Sequence, residues 1–120
     1  MLTEQQYREL INRCDEIVMQ RVELKKEEED IFNKLRKHYI ETVHEERKLE
    51  KGDTVQVVTI AVNGELVMSE PLWFDHYTMP TGCPTKESVQ LVFRGVKANG
   101  EPSMKTVTHY NSLIERIIKK

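Results

Sequence analysis

Residues 53–70 read DTVQVVTIAVNGELVMSE: an apolar, β-branched run, an Asn63-Gly64 pair, and a second apolar run. Asn-Gly between two such runs is the strongest short-range signal for a β-hairpin. Both central positions of a two-residue turn take positive φ, which these residues tolerate. The apolar residues change phase between Val57 and Val58, which predicts a bulge or a strand covered on both faces. Further on, SVQLVFRGVK (88–97) places Val89, Leu91 and Phe93 on one face, with Gly95 as a bulge. Ala98-Asn99-Gly100 then turns the chain into a fourth strand around Met104–Thr108. This half is expected to form two antiparallel β-hairpins in a small sheet.

Before this region the composition is different. All five glycines and all four prolines follow Lys51, whereas the first 51 residues hold 13 acidic and 11 basic side chains and the rest hold seven of each. The chain is therefore expected to divide into a long helix over 1–51, acting as an oligomerisation element, and a small β-rich domain over 52–120. Thr3 and Gln6 have the spacing of a capping box at the helix start. Lys48, Lys51 and Gly52 suit its end, with cations on the last turn and a left-handed glycine beyond it. Uninterrupted, such a helix would be a rod of about 70 Å. At the far end of the chain, Tyr110, Leu113, Ile114, Ile117 and Ile118 share one face at helical spacing, and Ser112 with Glu115 matches a second capping box. The fold class expected is α+β: a long amphipathic, coiled-coil-like N-terminal helix, two hairpins, and a short C-terminal helix.

The long helix carries an apolar stripe. Steps of three and four from Tyr7 meet Leu10, Cys14, Ile17, Arg21, Leu24, Glu28, Ile31, Leu35 and His38, flanked by Ile11, Val18 and Val22. The seam is apolar at both ends and charged in the middle. A helix does not keep such a stripe wet, so a second copy or a partner is expected to cover it. Leu10, Ile11, Ile17, Val18, Ile31 and Leu35 are the expected oligomerisation residues, with a homodimer or higher oligomer as the outcome. KKEEED at 25–30 reads as a solvated stretch in which Lys25–Glu29 and Lys26–Asp30 pair across one turn. Cys14, on the stripe, reads as a small core residue.

Between the hairpins lies EPLWFDHYTMPTGCPTKE (70–87), with the only tryptophan, three prolines and Cys83. Loops rich in aromatics and prolines are frequent functional surfaces. Trp73, Phe74 and Tyr77 are accordingly expected to anchor a protein partner. The plainer alternative is that Leu72, Trp73 and Phe74 close the bottom of the sheet.

The catalytic motifs are weak. Cys83 with His76 and His109 is the one grouping that approaches nucleophilic chemistry, yet no Gly-rich turn follows the cysteine and Pro84 removes the next amide donor. His38, His44, His76, His109, Cys14 and Cys83 lack metal-ligand spacing, and no phosphate-binding glycine motif is present. No catalytic residue, metal or cofactor is expected. The KGDTVQVV run (51–58) is similar to the opening strand of small β-barrels of the SH3-like or OB type, some of which bind single-stranded nucleic acid. Arg94, Lys97 and Lys105, with Phe93 and Tyr110, would serve that role on one sheet face, but a β-half with balanced charge lacks the field of a phosphate binder. The element order also resembles in outline that of the prefoldin chaperones, which pair two long helices. No run approaches the roughly 20 apolar residues of a membrane span and the start resembles no signal peptide, so a cytoplasmic protein without membrane contact is expected. The function expected is non-enzymatic, a self-associating adaptor or structural component of a larger assembly. A nucleic-acid-binding β-domain on an oligomerising helix is the first alternative, and a small cysteine-dependent enzyme the second.

Overall fold

The computed structural model describes residues 1–80, 82 and 84–120. Its elements are helix α1 (Glu4–Arg47) and strands β1 (Thr54–Ile60), β2 (Leu66–Met68), β3 (Leu72–Thr78), β4 (Gln90–Val96), β5 (Pro102–Tyr110) and β6 (Ile114–Lys119). Short 3-10 turns at Lys86–Ser88 and Asn111–Leu113 precede β4 and β6. The class is α+β, a long helix followed by a curled antiparallel sheet. The chain divides into two compact units at Lys34/Leu35 and not at residue 51, because the last turns of α1 belong with the sheet.

Unit 1, residues 1–34, is helix alone. The capping box forms as its residues predict: Gln6 N donates to Thr3 Oγ1 at 3.2 Å and Thr3 N to Gln6 Oε1 at 3.0 Å. Helical structure runs unbroken through Lys25–Asp30. Neither cross-turn pair expected there forms; the ion pairs of this unit are Arg8–Glu4 at 2.6 Å and Arg13–Glu16 at 3.0 Å.

Unit 2, residues 35–120, holds the core. Val43 and Leu49 pack with Val55, Val57, Leu72, Phe74, Val89, Leu91, Phe93 and Ile114, and Tyr39 and Ile40 pack against that cluster from the helix. The helix stops at Arg47 because Lys48 takes the left-handed conformation (φ 55°), so the chain reverses four residues before Gly52. Arg47 then fastens the helix end to the far end of the sheet. Its Nε donates to Asn111 Oδ1 at 2.9 Å, and its Nη2 donates to the carbonyls of Asn111 and Ile114 at 3.3 and 3.1 Å.

Six strands form the sheet where four were expected. β2 and β3 pair with successive stretches of the same edge of β1, through Val58–Met68 and Val55–Leu72, while β6 takes the other edge. β3 pairs with β4, and β4 with β5. Val57 and Val58 are both buried, so this strand is covered on both faces.

Three local expectations are corrected. The Asn63-Gly64 segment is a three-residue loop and not a two-residue turn, with Ala61 N bonding Glu65 O at 2.8 Å; Ala98-Asn99-Gly100 turns the chain as expected, closed by Lys97 N to Glu101 O at 2.8 Å, and Gly64 and Gly100 take positive φ while their asparagines do not. Each asparagine instead accepts, through Oδ1, the amide two residues on. The segment expected as an aromatic loop contains β3, a central strand bounded by Pro71 and Pro80, because the aromatic run LWFDHYT suits a pleated surface and proline is tolerated at strand ends.

The C-terminal helix is absent, and with it the prefoldin-like order. Ile114–Lys119 is instead a strand whose ladder slips at Glu115, between the pairs Thr59–Ile114 and Val58–Arg116. That slip brings Ile114 and Ile117 to the same, core-facing side, so helical spacing is produced by a bulged strand. Six residues with three isoleucines form a poor isolated helix, whereas the free edge of β1 satisfies every second backbone group of a strand laid beside it.

Arg47→Ala should lower the unfolding free energy by about 1–3 kcal/mol, since three hydrogen bonds from a part-buried guanidinium are lost. Arg13→Ala, which removes an exposed pair, should change it by no more than about 0.5 kcal/mol. Denaturant unfolding of the two variants checks both values.

Candidate interaction surfaces

The stripe on unit 1 lies open. Tyr7, Leu10, Ile11, Val18, Val22, Leu24 and Ile31 are each between 44% and 64% exposed, and Ile17 is part-buried. Cys14 is exposed, not a core residue. A single helix has no second layer to cover its apolar stripe, so the side chains that would form a seam face water. Within the seam, Arg21 and Glu28 make no ion pair with residues of their own helix. Leu35 stands apart from the other expected oligomerisation residues: it begins unit 2 and is part-buried.

The three residues expected to anchor a partner have different environments. Phe74 is 2% exposed, stacked edge-on to Phe93 at 5.6 Å and tilted against Tyr77 at 4.8 Å. It is a core residue and offers no side chain to a partner. Tyr77 is part-buried and its hydroxyl lies 3.4 Å from the Leu49 amide, which donates to it. Trp73 is part-buried beside the Gly52 turn and opposite Arg94 in the β3–β4 ladder.

A bulge in β3 builds the one buried charge cluster among the described residues. The ladder passes from Phe74–Phe93 to His76–Val92, leaving Asp75 as the extra residue. Asp75 is 9% exposed and meets Arg94 Nε at 2.9 Å, His76 Nδ1 at 3.5 Å and Lys51 Nζ at 3.6 Å. The hydrogen bond from Arg94 outweighs the cost of burial and holds the carboxyl below its usual range, with His76 helping. A carboxylate held by the cations of Arg94 and Lys51, with the His76 ring beside it, is a structural tie.

This tie also breaks up the basic face expected on the sheet. Arg94 is occupied by Asp75, and because Arg94 pairs with Thr106, Lys105 projects from the other side of β5. The other histidines are not gathered either. His76 pairs with Val92 while His109 pairs with Leu91, which places them on alternate faces; burial pushes the His109 pKa down. Cys83 lies outside the described residues. Among the described residues, no three His, Cys, Asp or Glu side chains are placed to hold a metal ion, and no helix is long and apolar enough to cross a membrane.

No protein-family model, curated protein or solved structure matches this chain. Its surfaces are the remaining guide.

Two features of unit 2 went unread in the sequence. The end of the β1–β2 ribbon carries Ile60, Val62, Leu66, Val67 and Met68, all exposed, on both faces of two strands. Strong alternation usually marks one face for the core, but here the ribbon runs past the core and neither face is covered. The second is an open groove of about 680 Å³ at the β4–β5 end, lined by Leu72, Gly95, Val96, Ser103, Lys105 and Val107. Gly95 makes its wall thin, since a Cβ there would lie 2.9 Å from Ser103 Oγ.

Asp75→Asn should destabilise the protein at neutral pH by about 2–3 kcal/mol, because it leaves Arg94 facing a neutral partner. Asp75 has a depressed folded pKa, so its contribution is present above the unfolded carboxylate value and is lost as pH falls through the folded value. The gap between wild type and variant should therefore be full at pH 7 and shrink below about pH 4, measured by thermal unfolding across that range.

Proposed function

We propose that this chain is a non-enzymatic, self-associating adaptor, whose N-terminal helix joins copies together while its sheet domain meets another protein of the assembly. The observation that carries this reading is the open stripe of unit 1: seven large apolar side chains near half exposure along one helix. Burying apolar surface is worth roughly 25 cal/mol per Å², so a helix of this length gains several kcal/mol from a matching face. Heptad-like spacing is the form such a face takes in coiled coils.

The non-enzymatic part of the reading is supported by the chemistry of the ionisable groups. The most deeply placed one, Asp75, is neutralised by Arg94 and Lys51, and His76 and His109 share no face. For the protein partner, the surface we favour on the sheet is the β1–β2 ribbon end, with Val62, Leu66, Val67 and Met68, because exposed apolar patches on small domains mark interaction sites. Trp73 and Tyr77 then act chiefly in fixing the turn after α1, and Phe74 in the core. A free, exposed Cys14 suits a reducing compartment such as the cytoplasm.

Light scattering on the full chain tests the reading. Wild type should give a multiple of the 14.1 kDa chain mass at tens of micromolar. Leu10→Asp and Val18→Asp should each bring it to the single-chain value with the thermal transition of the sheet unchanged. A wild-type chain that is monomeric throughout would overturn it.

A further inference from the structure

We infer that the occupant of the open stripe is a second copy of the same helix lying antiparallel, in the register that sets Cys14 of one copy against Ile31 of the other. The inference rests on the self-association just proposed and adds its geometry, which the charges within the seam decide.

The seam of unit 1, taken in steps of three and four, is Tyr7, Leu10, Cys14, Ile17, Arg21, Leu24, Glu28 and Ile31. In a parallel pair in register, each seam position faces its own twin. Arg21 would then oppose Arg21 and Glu28 would oppose Glu28, two layers of like charge within one heptad. Neither charge has a counter-ion on its own helix to relieve it. Like charges brought together away from water are costly, and this arrangement does it twice.

Turning one helix round changes the arithmetic. With Cys14 opposite Ile31, Ile17 falls opposite Glu28, Arg21 opposite Leu24, and Leu10 opposite Leu35 of the second copy. Arg21 of one helix and Glu28 of the other now sit in neighbouring layers, about 6 Å apart along the axis at 1.5 Å per residue. That is within reach of a guanidinium fork, and the two-fold axis between the Arg21–Leu24 layers makes the pair occur twice. A slide of one heptad toward the N-terminus parts Arg21 from Glu28, and a slide the other way sets Tyr7 and Leu10 against the polar Glu45 and Thr42 in place of His38 and Leu35. The charged middle that weakens the stripe as a plain hydrophobic seam thus serves to set direction and register.

Cysteine cross-linking of the full chain reads this directly. In a Cys83→Ser background, Cys14 is the sole cysteine. Oxidation of that chain should leave it uncrosslinked. Adding Ile31→Cys should give a covalent dimer whose proteolytic fragments join residue 14 to residue 31 by mass spectrometry. A dimer joined 14 to 14 or 31 to 31, or a self-associated chain with no 14–31 link, overturns the antiparallel register. Light scattering on the same samples keeps the two ideas apart, since a monomeric mass would overturn self-association itself. A charge exchange gives a second readout independent of cysteine. Arg21→Glu and Glu28→Arg alone should each weaken dimerisation about tenfold or more, and the double variant should recover most of the loss. In a parallel pair the exchange only trades one like-charge layer for another, so absence of recovery would also overturn the inference.

Discussion

Burial of the last turns of α1 on the sheet is the constraint from which unit 2 follows. Val43 is the one fully buried residue of the 44-residue helix, and it enters the core together with Leu49, just past the helix end. Phe74 and Phe93 face them from the two central strands. For Leu49 to arrive there, the chain must reverse at once, and Lys48 in the left-handed conformation does that without a glycine. Arg47 then ties the reversal to Asn111 and Ile114, so the helix end, the 3-10 turn and the closing strand are held by one guanidinium.

Two ladder slips shape what the sheet can present. At Asp75 the slip turns Phe74 and Tyr77 inward together and leaves a carboxylate that must find partners. It finds Arg94, His76 and Lys51, and in doing so removes the best-placed arginine from any anion-binding role. At Glu115 the slip turns Ile114 and Ile117 inward together and closes the sheet against β1. Bulges are usually regarded as local irregularities; in this sheet they decide which side chains form the core and which charges remain free.

Unit 1 stands under the opposite physics. It has no buried residue, two exposed ion pairs worth a few tenths of a kcal/mol each, and a capping box at its start. Helix propensity sustains such a segment only marginally in water, which is why most helices in proteins draw their stability from a packed face.

The sequence by itself determined the long helix, its capped start, the apolar stripe with its charged middle, and the strand character of most of the second half, because each is a local property of period or turn chemistry. It left β3 and β6 unrecognised. In both, a bulge replaces the two-residue alternation of a strand with an apolar spacing of three, Phe74 to Tyr77 and Ile114 to Ile117, and that spacing reads as a loop or a helix until a neighbouring strand is there to pair with it. The environment of Asp75, the loss of Arg94 to it, and the uncovered β1–β2 ribbon end were likewise settled only by tertiary structure. Each depends on which strands lie side by side; Asp75 and Arg94 are nineteen residues apart along the chain, and no local pattern encodes such a pairing.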